Sequence, residues 1–114
     1  MERPNEAPDE LIHQSLRLRI MATLHALPAG EPIAFTRLRA VLGVTDGNLG
    51  AHLTTLESAD YVTIKKDFVA RKPRTRIVIT RRGRTAFAKH VNYLRALLDD
   101  PPTANAAEQG EEPD

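Results

Sequence analysis

A chain of 114 residues has room for one domain and one site, which excludes a catalytic domain joined to a separate regulatory one. The absence of cysteine rules out disulfides, thiolate nucleophiles and thiolate metal centres, and no apolar run approaches the roughly 18 residues needed to cross a bilayer. The formal net charge of +1 conceals a division: six acidic residues and no Lys or Arg follow Leu98, whereas Leu11 to Leu98 carries fifteen Lys and Arg against Glu31, Asp46, Glu57, Asp60 and Asp67. A basic body beside an acidic end points to a polyanionic partner, with the tail competing for the same surface.

In chain order, residues 1–8 hold Pro4 and Pro8 without apolar periodicity, and residues 100–114 hold Pro101, Pro102 and acidic residues. Both ends are expected to be disordered, leaving one domain over residues 9–99. The acidic, proline-bearing start is unlike an export signal, so the expectation is a soluble cytoplasmic protein. Asp9 is a good cap for a first helix that breaks or restarts at Ser15. Leu16, Ile20, Leu24 and Leu27 then recur at helical spacing until Pro28, Gly30 and Pro32 end the run. Ile33-Ala34-Phe35 is long enough only for a brief edge strand.

Thr36 suits the cap of a short helix, Arg37 to Leu42, with Leu38, Val41 and Leu42 facing inward and Gly43 stopping it. Thr45 suits the cap of the next, where Leu49, Leu53 and Leu56 form a buried stripe running to about Ala59 or Asp60. Two short helices joined by a tight Gly-containing turn meet the requirement of a helix-turn-helix. The period then changes to two: Tyr61 to Lys65 alternates, and Arg76 to Thr80 is a second β-branched run. Lys66 to Thr75 between them, with Pro73 and several charges, is expected as an exposed hairpin loop. Thr80 can cap a last helix from Arg81 to about Leu98.

The fold class is therefore mainly α with a small β-hairpin, and the element order resembles the MarR- and ArsR-type winged-helix regulators of bacteria. Thr45 through Val62 resembles their recognition helix running into the first wing strand. Arg74-Thr75 followed by Ile79-Thr80-Arg81-Arg82-Gly83-Arg84 resembles the second wing strand and its lead into the next helix. Asp60 departs from the pattern, because these families place Gly at the position that closes the helix. The resemblance implies duplex DNA as partner, a regulatory role that is most commonly repression, and a homodimer through the first and last helices.

Residue chemistry supports the DNA reading without the family. A helix with Leu49, Leu53 and Leu56 on one side presents Gly47, Asn48, Ala51, Thr54 and Thr55 on the other, with Gly50 and His52 on the flanks. Asn can pair with adenine edges, Thr can bond bases or phosphates, and Ala fits the thymine methyl, whereas an ordinary solvated face is rich in Glu and Lys. Thr36, Arg37, Thr45 and Asp46 lie at the two helix starts beside that face and join it as candidate contacts, and Arg39 is a further candidate for the backbone. In the hairpin Lys65, Lys66, Arg71, Lys72, Arg74 and Arg76 stand against Asp67 alone, which favours an anion; Lys66, Arg71, Lys72 and Arg74 are the candidates for phosphate or minor-groove contact. Arg81, Arg82 and Arg84 open a helix against its dipole and suit an anion or a structural role equally.

Other classes of function fare worse. His13, His25, His52 and His90 are scattered and have no Cys to join them, although His13 and His90 could meet if the end helices pack, so no metal is expected. No phosphate-cradling Gly motif or nucleophile elbow appears, and Ser15 and Ser58 lack a base, so neither an enzyme nor a cofactor is expected. The alternative is a winged helix that docks its basic surface on an acidic protein. Leu16 and Ile20 with Phe87, Val91, Leu94 and Leu98 form the expected dimer surface, flanked by Tyr93 and Leu97; in a monomer the same stripes would simply pack on each other. The effector ligand, if the protein has one, and the operator are not encoded in any readable pattern.

Overall fold

The computed structural model describes residues 8–101. The remaining terminal residues, which make up most of the two stretches expected to be disordered, lie outside the described part. The order is α1 (Glu10–His13), α2 (Ser15–His25), β1 (Ile33–Ala34), α3 (Phe35–Leu42), α4 (Asp46–Ser58), β2 (Val62–Val69), β3 (Lys72–Ile79) and α5 (Arg81–Asp99). The strands form one antiparallel sheet in the order β1-β3-β2.

Side-chain caps explain most of the helix starts. The Asp9 carboxylate accepts from the N–H groups of Leu11 and Ile12, and the expected break before Ser15 occurs because Gln14 turns extended and caps α2 through Leu16 and Arg17. Thr45 and Thr80 cap α4 and α5 as expected. The exception is α3. Its helix begins at Phe35, so Thr36 lies inside the first turn and caps nothing; Ala34 is held extended by pairing with Arg76, and the chain passes from strand directly into helix. Gly43 closes α3 at φ 67°, as its sequence position suggested.

The core gathers Leu16, Ile20, Met21 and Leu24 of α2 with Leu38, Leu42, Leu49, Leu53, Leu56, Val62, Ile77, Ile79 and Phe87. Each fully buried aliphatic side chain here contributes about 1.5–3 kcal/mol relative to exposure. Val41 is corrected from the expected inward set: it is 56% exposed, because Leu38 and Leu42 already fill the inner side of an eight-residue helix. The residues of the expected dimer surface differ in exposure. Leu16, Ile20 and Phe87 are covered by their own protomer, whereas Val91 and Leu94 are half-buried and Leu98 is 80% exposed.

The segment Lys66 to Thr75 is not a loop. β2 and β3 pair without interruption from Val62↔Ile79 to Val69↔Lys72, and only Ala70 and Arg71 form the turn. Both have positive φ, 52° and 69°, the requirement of a two-residue hairpin turn that usually shows itself through Asn-Gly. Pro73 fits a strand here because it sits opposite Phe68, one step from the pair that closes the turn. Ladder alternation points its nitrogen away from β2, so no hydrogen bond is lost.

Candidate nucleic-acid interface

Leu49, Leu53 and Leu56 are buried, so α4 turns Gly47, Asn48, Ala51 and Thr54 outward, with Gly50, His52 and Thr55 half-buried at the margins. All of the α4 residues expected from sequence thus share one face or its edge. Thr45 Oγ1 accepts from the Asn48 N–H at 3.1 Å, which leaves its own hydroxyl proton free to donate outward. The hydroxyls of Thr54 and Thr55 donate back to the carbonyls of Gly50 and Ala51, so each offers lone pairs and a methyl group to a ligand rather than a proton. Asp46 is exposed but answered by Arg39, 2.8 Å away, a pair that ties the end of α3 to the start of α4. Thr36 and Arg37 are exposed on the first turn of α3.

The hairpin is fixed to the end of α4. Asp60 takes φ 65° where the resembled families have Gly, and the Asp60 and Tyr61 N–H groups return to Glu57 and Leu56. These are the two bonds of a Schellman closure. Glu57 then accepts from the Ile64 N–H at 3.0 Å, satisfying the outer edge of β2 and setting the angle of the wing to the helix. On the far side Thr80 donates its N–H to Tyr61 and its hydroxyl to Asp60, while accepting from Gly83. Arg84 reaches the carbonyls of His25 and Leu27 at the end of α2, a structural role for one of the three arginines opening α5; Arg81 and Arg82 remain exposed.

Of the wing cations, Lys66, Arg71 and Lys72 are exposed and point to solvent. Arg74 is otherwise engaged: its guanidinium grips Asp67 through two bonds of 2.9 and 2.8 Å, and Arg76 adds a third contact at 3.4 Å. The Arg74 hydrogen bond, with the two positive charges, holds the Asp67 carboxyl below its ordinary range, and the same bond raises Arg74 further. Sequence reading set Asp67 against six cations and missed this cross-strand pair, because the pairing depends on a register that the expected loop did not have. It also missed the wing tip, where Phe68 is 72% and Val69 48% exposed.

Among the described residues no group of three or more metal-binding side chains converges, and no helix is long and apolar enough to cross a membrane. The expected approach of His13 to His90 involves a side chain outside those described; His90 is buried and its Nδ1 accepts from the Asp9 N–H at 3.1 Å.

A helix-turn-helix whose second helix exposes a small polar face, braced against a basic hairpin, defines a winged-helix binding protein rather than a catalyst. The chain belongs to the winged helix DNA-binding domain family, whose model matches residues 16–98. It is 36% identical over 89 residues to the uncharacterized protein MJ0432 of Methanocaldococcus jannaschii, covering 78% of this chain and 90% of that protein. It is similar to the solved transcriptional regulator homologue of Pyrococcus horikoshii, with TM-score 0.72 and 30% identity over 80% of this chain and 87% of that one. A MarR-like regulator of Thermotoga maritima shares the fold at TM-score 0.57 and 18% identity, covering 96% and 78% of the two chains. The relatives thus include archaeal proteins beside the bacterial regulators that the sequence resembles.

Proposed function

We propose that this protein is a MarR- and ArsR-like transcriptional repressor that acts in the cytoplasm as a homodimer on duplex DNA. The observation that carries this reading is the outward face of α4, Gly47 to Thr55, free of bulk and of uncompensated charge and set beside the exposed cations of the wing. In this reading α4 enters the major groove, where Asn48 reads an adenine edge and Ala51 with the Thr54 and Thr55 methyls meets thymine methyls. Thr36, Arg37 and the free Thr45 hydroxyl proton engage phosphates along the groove, and Lys66, Arg71 and Lys72 engage the backbone beyond it.

The test is selection of bound sequences from a random duplex pool, followed by titration of the enriched duplex across salt concentrations. The reading predicts an enriched site, a negative salt slope, and relaxed base preference at one position in Asn48→Ala. Failure to bind any duplex near 50 mM salt, with capture of an acidic protein instead, would replace it with the protein-docking alternative.

A further inference from the structure

Phe68 belongs by parity to the strand face that holds Val62, Ile64, Ile77 and Ile79, all in or against the core. Four residues past Ile64, it lies about 13 Å beyond the last core pair, where no part of the described protomer covers it. Pro73 stands opposite Phe68 and Val69 follows it, so the tip of the wing is apolar. Its rim is not: Lys66, Arg71 and Lys72 are exposed around it, and the one acid of the hairpin is held by Arg74 and Arg76. The ladder runs unbroken to Lys72 and turns on two left-handed residues that are neither Gly nor Asn, so Phe68 projects from a paired strand and not from a loop.

An apolar point flanked by cations is complementary to a groove with phosphates on both rims and stacked bases within. We propose, on the basis of the DNA-binding reading above, that Phe68 is a wedge. It enters a base step in the minor groove next to the α4 site, backed by Pro73 on the same strand face, while Lys66, Arg71 and Lys72 hold the flanking phosphates. A two-stranded ribbon is wider than the roughly 6 Å minor groove, so only its tip enters, and insertion of Phe68 widens the groove, unstacks the step and bends the duplex away from the protein's wing. The protein therefore deforms the DNA it binds and favours sites with an easily unstacked pyrimidine–purine step under the wing.

The experiment uses the full chain on its selected duplex. Bending is read from energy transfer between dyes on the duplex ends, and unstacking from 2-aminopurine placed in turn at each position under the wing. Wild type is expected to shorten the end-to-end distance and to raise the fluorescence at one position. Phe68→Ala is expected to lose both signals with an affinity loss of about tenfold and an unchanged salt slope, and Phe68→Leu to retain them. A straight wild-type complex, or a Phe68→Ala complex bent like wild type, overturns the wedge while leaving the DNA-binding reading intact. A Phe68→Ala protein whose light-scattering mass changes while its DNA signals do not makes the tip a contact between copies, which also overturns it. Wild type that binds no duplex removes the underlying reading and the wedge together.

Discussion

Gly83 owes its place to what lies above it. A Cβ there would run into the backbone carbonyl of Tyr61 and press on the Ile79 side chain, and that carbonyl cannot retreat because it accepts the Thr80 N–H at 3.0 Å. Gly83→Ala should therefore destabilise by about 3 kcal/mol, measured as a lower urea midpoint, since overpacking against backbone has no rotamer to relieve it. Tyr61 adds a second contact. Its hydroxyl donates to Asp9 at 2.7 Å, and burial first, then that bond, pushes its phenol up to about 12. A raised phenol stabilises the fold fully below the unfolded value near 10, and that contribution is lost as pH rises from about 10 to 12. Tyr61→Phe should cost about 1–2 kcal/mol at neutral pH and flatten the alkaline decline in chemical-denaturation titrations. Sequence reading found Gly83 within Thr80 to Arg84 as a pattern. Its cause could not be read there, since the carbonyl it clears is twenty-two residues away.

At the scale of elements, the helices were more legible than the hairpin. Thr45, Gly43 and Thr80 carry their capping chemistry in their own side chains or lack of one, and the Leu49, Leu53 and Leu56 stripe has one possible inner face. The wing gave two false signals: Pro73 read as a breaker although its register costs no ladder bond, and Ala70-Arg71 adopt a turn without the residues that announce it. The correction matters for charge. Arg74→Ala would weaken DNA binding even if Arg74 never touches a phosphate, because it leaves Asp67 answered only by the longer contact with Arg76. Asp67→Asn separates the possibilities: freeing Arg74 and Arg76 should tighten binding and steepen the plot of log affinity against log salt by about one phosphate contact, a slope change of about 0.9. An unchanged slope would mean that neither arginine can reach the backbone.

For the whole molecule, the order of elements was readable because each change of period marks a boundary, but the fate of the α5 stripe was not. Periodicity reports that a face is apolar and cannot say what covers it. The first part of that stripe, at Phe87, serves the protomer's own core, and the far end, with Leu94, Leu97 and Leu98, extends past it. A dimer through that end would set two α4 helices about 34 Å apart on successive major-groove faces of a pseudo-palindromic site. Leu98→Glu should then give a monomer by light scattering at micromolar concentration, with DNA affinity reduced by at least about tenfold through loss of the second half-site. A wild-type monomer under the same conditions would remove the dimer.

Thr80 couples those two ends of the molecule. Its amide is given to Tyr61 and its hydroxyl proton to Asp60 while its hydroxyl oxygen accepts from Gly83, so both of its donors are engaged, and Arg84 one turn later clamps the same corner to α2. The last helix and the hairpin thus depart from one fixed corner, and the bonds made there set the angle at which the wing, with Phe68 at its end, stands to α5.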